Sequence, residues 1–213
     1  MTEPLHTPAP LSQVVPTVFR WGPPGPASGF QSQAYAVSDD DRCVLIDPLP
    51  IAEGEMRKLG RLEAILLTGP ERQQAAWRVR KTLGAHVYAP AGAAGLDEAP
   101  DLTYSAGEAL PGGLIAFHAP GAWEAAQVLW LTTGPRGVVF LAGLLVHDGT
   151  GVPQLAPGLL DPPRGRTSVE RILQRLPVDV LCFLLGPPIL RDGARALRAA
   201  LERSETFGRP SAP

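Results

Sequence analysis

Few side chains in this chain can ligate a metal or move a proton, and their spacing limits the chemistry open to it. There are four histidines, His6, His86, His118 and His147, and two cysteines, Cys43 and Cys182. A catalytic zinc site needs about three nitrogen, sulfur or carboxylate ligands plus an open position. His6 falls in a terminal segment, no histidine lies between it and His86, and His86 sits between apolar residues of a strand-like run. A Ser-His-Asp arrangement needs a poised serine, and Ser105 and Ser168 read as a turn residue and a helix cap. Both cysteines lie inside apolar runs, Cys43-Val44-Leu45-Ile46 and Val180-Leu181-Cys182-Phe183, and read as small buried hydrophobes.

The elements that must position these residues are short strands and amphipathic helices. Ser32 to Val37 and Cys43 to Ile46 read as strands joined by the acidic turn Ser38-Asp39-Asp40-Asp41. Ile51 to Leu59 can form a short helix, and Ala64 to Thr68 a buried strand. Gln73 to Leu83 is amphipathic, with Ala76, Val79 and Leu83 at helical spacing and Gly84 as its stop. Arg72, Arg78, Arg80 and Lys81 then form its wet side. Ala85 to Ala89, Leu114 to His118, Val128 to Leu131, Val138 to Leu141 and Val180 to Leu185 continue the strand pattern. Ser168 is expected to cap one helix and Asp192 to start the closing one. Trp21-Gly22-Pro23-Pro24-Gly25-Pro26 must be a loop. This order implies a layered α/β protein with helices outside its sheets. Residues 17–204 are expected to form one domain, flanked by flexible tails over 1–16 and 205–213.

Bulk properties exclude several classes. At 213 residues there is ample chain for one core, and 45% apolar against 19% charged residues marks a globular domain rather than a disordered one. A net charge of −2 supplies no basic footprint for nucleic acid or an anionic membrane. Val138 to Val146, the longest apolar run, is far short of the ~20 residues that cross a bilayer. The first sixteen residues carry no basic and apolar signal pattern, so a cytoplasmic protein is expected.

Six landmarks, in order, resemble the metallo-β-lactamase superfamily, nearest in layout to its small glyoxalase-II-like hydrolases. Val44-Leu45-Ile46-Asp47-Pro48 is similar to the strand end near the start of that fold. Ile65-Leu66-Leu67-Thr68 is similar to the strand entering the metal motif, and Leu83 to Pro90 to the next helix end and strand. His118-Ala119-Pro120-Gly121-Ala122 resembles the Thr-Pro-Gly-His segment, Val139 to Leu145 the Phe-Thr-Gly-Asp segment, and Asp179 to Ile189 the terminal Gly-His-Gly-Pro-Pro segment. The resemblance spans residues 30–202. It implies a four-layer αββα sandwich of two mixed sheets with outer helices, and a homodimer is plausible on the same ground.

The family reads Thr-His-x-His-x-Asp-His where this chain has Thr68-Gly69-Pro70-Glu71-Arg72-Gln73-Gln74. Carried over residue by residue, its ligand positions hold Gly69, Glu71, Gln73, Gln74, Ala122, Leu144 and Leu185. None is histidine, and only Glu71 keeps anionic character, so no zinc or other divalent cofactor is expected. Asp47, which stands beside the metals in that layout, can instead accept backbone N–H bonds from the turn around Thr68. The residues expected to line the emptied cleft are Thr68, Gln73, Gln74, Trp123 and His147, with the Pro-rich loop from His147 to Arg166 as a cover. The leading expectation is a non-catalytic scaffold that binds a small molecule or a protein. The alternative that the resemblance implies is an ester or thioester hydrolase, with a mononuclear site drawn from Glu71, His118 and His147 or with Asp47, Glu71 and His118 in acid–base roles. Nucleic-acid processing, known among larger members of the superfamily, is disfavoured by length and charge.

Overall fold

The computed structural model describes residues 10–23, 30–39, 41–133 and 136–207, so His6, the loop prolines after Pro23 and Asp40 at the acidic turn lie outside it. A seven-stranded sheet runs in sequence order through β1 (Ser12–Val15), β2 (Val18–Trp21), β3 (Ala34–Asp39), β4 (Arg42–Ile46), β5 (Arg61–Leu66), β6 (His86–Pro90) and β7 (Leu102–Tyr104). Pairing is antiparallel up to β4 and parallel from β4 to β7. Residues 12–15, expected in the flexible tail, are instead an edge strand: Val15 is buried and the chain hydrogen-bonds along β2. The second sheet has five strands in the order β14-β11-β10-β9-β8, made of β8 (Ala109–Leu110), β9 (Leu114–His118), β10 (Gln127–Thr133), β11 (Arg136–Phe140) and β14 (Val180–Cys182). A two-stranded ribbon, β12 (Leu145–Val146) with β13 (Gln154–Leu155), sits between them in sequence.

The layers follow from the period-two alternation of apolar strands. Val44 and Ile46 of β4, Leu129 and Leu131 of β10, and Val138 and Phe140 of β11 face one another in the core between the sheets. Their neighbours point outward. Cys43, Leu45, Ile65 and Leu67 pack under α1 (Glu53–Arg57) and α2 (Gln73–Leu83), against Met56, Ala76 and Trp77. Val139, Leu141, Leu181 and Phe183 pack under α3 (Pro162–Arg175) and α4 (Gly193–Phe207), against Val169, Ile172 and Leu197. The architecture is therefore the expected αββα sandwich. Both cysteines are buried free thiols, Cys43 facing α1 and α2 and Cys182 facing the inter-sheet core. Among the described residues no helix is long and apolar enough to cross a membrane.

Two helix readings are corrected. Ser168 does not cap α3. Asp161 does, accepting from the Arg164 amide at 3.0 Å, and Pro162 and Pro163 follow in the first turn, where a missing N–H is harmless. Ser168 is buried mid-helix and donates to the Pro120 carbonyl at 2.7 Å. On α2 the buried face uses Trp77 rather than Leu83, which is 40% exposed at the last turn before Gly84. Gly84 does end that helix, in the left-handed conformation (φ 71°).

The two sheets are tied together at one end of the sandwich. Ser32 and Leu185 form a bridge, the Gln33 amide donates to Leu184 O at 2.8 Å, and the Gly186 amide donates to Gln31 O at 2.7 Å. Beside them the Tyr35 hydroxyl donates to Phe183 O at 2.9 Å and accepts from the Phe183 amide at 3.1 Å. The Tyr35 ring also meets Phe140 edge-on at 5.4 Å. This is the end at which the strands deliver the residues singled out from the sequence.

Candidate functional site

At that end a cleft of about 130 Å³ opens between the two halves of the sandwich, walled by Ala122, Trp123, Gly143, Leu145, Val146 and Leu185 among others. Leu184 and the loop residues Ala156, Pro157 and Gly158 complete its lining, and Glu71 brings the one ionisable side chain to it. Glu71 lies in a short 3-10 turn, Pro70–Arg72, between β5 and α2, and is exposed. The loop after His147, expected as a cover, does reach the cleft through Ala156 to Gly158. The hydrocarbon from β12 and Leu184 went unread in the sequence, because an apolar strand end looks like core whether or not it borders a cavity.

Apart from Glu71, the polar residues singled out from the sequence are absent from the lining of this cleft. Asp47 is 1% exposed, with its backbone in the left-handed region (φ 44°). Its Oδ1 accepts from the Thr68 amide at 2.9 Å and its Oδ2 from the Thr68 hydroxyl at 2.6 Å. Burial pushes the Asp47 carboxyl up to about 6, and the two Thr68 bonds and the Arg72 guanidinium only partly oppose this. Arg72 itself is half-buried and donates to Leu184 O at 3.1 Å, so it is not part of the wet helix face. Gln73 is buried and spent on a loop. Its Nε2 donates to Gly95 O at 2.8 Å, and its Oε1 accepts from the Asp97 amide and from Trp77 Nε1. The Gln74 side chain lies outside those described.

The two histidines are likewise committed to backbone. His147 is 5% exposed. Its Nδ1 lies 2.8 Å from the Pro187 carbonyl, which can only accept, and the Gly151 amide donates to its Nε2 at 3.3 Å. One tautomer, protonated at Nδ1, satisfies both contacts and leaves no lone pair for a cation. His118 ends β9 half-exposed, with Nε2 3.2 Å from the Glu124 carbonyl. Glu124 is itself held by a bidentate pair with Arg164 at 2.5 and 3.0 Å, outside the cleft. His86 is exposed on β6. Glu71, His118 and His147 are therefore not brought together.

No sequence-family model and no curated protein sequence matches the chain. Solved structures do match. The metallo-β-lactamase FIM-1 from Pseudomonas aeruginosa, in its mono-zinc form, superposes with a TM-score of 0.73 over 96% of this chain and 99% of its own, at 16% identity. The FEZ-1 enzyme from Legionella gormanii gives 0.66 over 96% and 97% at 12% identity, and DIM-1 gives 0.69 over 91% and 96% at 14%. This chain has the metallo-β-lactamase fold.

That fold implies a zinc site, and the side chains at this end of the metallo-β-lactamase-like domain do not suit one. Among the described residues no three of His, Cys, Asp and Glu lie close enough together to hold a metal ion. Ala122 and Leu185 offer the cleft only hydrocarbon, and Leu144 is fully buried in the outer core. At position 69 even the space for a side chain is taken. A Cβ built on Gly69 would come within 1.9 Å of the Trp123 indole nitrogen. The indole is fixed by donating to Thr68 O at 3.3 Å and by packing over Gly143. Gly69 has an extended backbone (φ −174°) that any residue adopts, so the obstacle to a larger residue there is the nearby ring and not the backbone conformation. Gly69→Ala is therefore expected to cost about 1–3 kcal/mol. Most of that cost should vanish in a Trp123→Ala background. Urea unfolding of the two single variants and the double variant checks this, and additive losses would show that the indole is not what excludes the methyl group.

Proposed function

We propose that this protein is a non-catalytic relative of the metallo-β-lactamases that keeps the sandwich to bind a ligand or partner in the cleft. One observation carries the reading. The positions that the resemblance sets opposite metal ligands present a methyl group, leucine side chains and an indole-filled glycine, while the polar residues nearby are consumed by backbone hydrogen bonds. Zinc catalysis depends on a cation that polarises its substrate and lowers the pKa of bound water to ~7. A donor set of one exposed carboxylate, Glu71, does not support that. Two buried free thiols fit a reducing, cytoplasmic setting.

Elemental analysis of untagged protein purified at neutral pH tests the reading, together with turnover of a panel of esters and thioesters. Less than one-tenth equivalent of zinc, iron or manganese is expected, with turnover no faster than buffer. Stoichiometric metal would overturn the proposal, as would turnover that disappears in Glu71→Gln and His118→Ala.

A further inference from the structure

The cleft also indicates what it would accept, on the reading that it holds no metal. Its volume of about 130 Å³ is close to that of apolar cavities of about 150 Å³ known to take up benzene. It holds a single ring or a branched alkyl group and excludes anything the size of a nucleotide. Its walls are more apolar than polar. The Trp123 N–H is given to Thr68 O, and Ala122 and Leu185 contribute hydrocarbon.

Charge sets the rest of the ligand. Glu71 is exposed, borders the cleft and forms no ion pair among the described residues. The nearest cation on the same turn, Arg72, does not line the cleft, since its guanidinium is turned to Leu184 O on the Asp47 side. An occupant therefore meets an apolar wall with one carboxylate at its border.

We infer that the cleft is a binding site for a compact amine, with an apolar ring or branched chain buried against Trp123 and a cationic nitrogen presented to Glu71. A neutral isostere keeps the burial and loses the ion pair, whereas a carboxylate isostere is repelled.

Benzylamine, benzyl alcohol and benzoate separate these contributions. Calorimetric titration of metal-free protein at pH 7.5 is expected to give one site per chain, with affinity falling in that order. Benzylamine should bind roughly two- to fivefold tighter than the alcohol, the ratio a partly exposed ion pair supports. In Glu71→Gln that ratio should fall to about one, with alcohol binding unchanged. Ala122→Leu should weaken all three probes by filling the cavity from the core side. Ala156→Phe, on the half-exposed loop wall, fills it from the opposite side and serves if the core variant folds poorly. The inference is overturned by equal affinity for all three probes, by no saturable binding, or by benzylamine binding that survives both filling variants. Because the readout is affinity in metal-free protein, its failure is separate from a failure of the metal and turnover measurements.

Discussion

Replacing Gly186 by alanine is expected to leave little or no folded protein. Gly186 has φ 104°, a conformation that L side chains rarely adopt. A Cβ built there would sit 1.5 Å from the carbonyl oxygen of His147 and 2.6 Å from its carbon, and neither atom can swing aside as a side chain could. To admit a methyl group, the 184–187 segment must move away from His147, losing the His147 amide bond to Leu185 O and straining the bridge to residues 31–33. The conformational cost alone is about 1–3 kcal/mol, and separating the two segments raises the total to roughly 4 kcal/mol or more. In a chain of this size that lowers Tm by about 10 °C or more. Gly151→Ala is the control, because Gly151 shares the conformation (φ 102°) but has nothing within 4 Å of its Cβ. Thermal melts should show a loss of about 1 kcal/mol at 151 and a near-complete loss at 186. Similar melting of the two variants would mean that the backbone gives way at 186 and that the close approach is not required.

The second large effect is expected at Asp47, where alanine and asparagine should behave in opposite ways. Alanine leaves the Thr68 amide and hydroxyl buried without an acceptor, at about 1–3 kcal/mol for each unsatisfied group. Asparagine can still accept from the amide through Oδ1 and donate to the hydroxyl oxygen through Nδ2, so little is lost. The pH dependence sharpens the contrast. An aspartate in the unfolded chain titrates near 3.9, and burial raises this one to about 6 in the folded protein. The folded state therefore holds the proton more tightly. The stabilisation this gives is complete below about pH 4 and is lost as the pH rises through 6, a change on the order of 2–3 kcal/mol. Asparagine does not titrate, so Asp47→Asn should gain on the wild-type protein as the pH is raised from 5 to 8. Chemical denaturation at pH 5, 6, 7 and 8 reads this directly. A constant difference across the series would mean that the carboxylate is ionised throughout and that burial does not control it.

Much of this fold was legible in the sequence because strand alternation and glycine stops are local signals. Cys43 to Ile46 shows its two-faced burial in the order of its residues, and Gly84 marks the end of α2 directly. Errors came where two local signals compete. Ser168 looks like a cap only until Asp161-Pro162-Pro163 is considered, and Leu83 fits the helical period but falls on the last exposed turn. The site was legible in one respect, since histidine positions can be counted. Its three-dimensional logic was not. That Trp123 lies across Gly69 depends on a contact between residues 54 positions apart, which periodicity does not encode. Likewise His147 reads from sequence as a rim residue, and only the Pro187 carbonyl and the Gly151 amide show it to be a strut.

The Tyr35–Phe183 pairing also bears on the order in which the chain is made. The first sheet is complete once Tyr104 has been synthesised, but its inner face has no cover until β9 to β11 follow. The Tyr35 hydroxyl waits longer still, since its partner lies 148 residues downstream. A nascent chain therefore leaves the ribosome carrying half of an apolar core in the open, the condition under which chains of this size depend on chaperones.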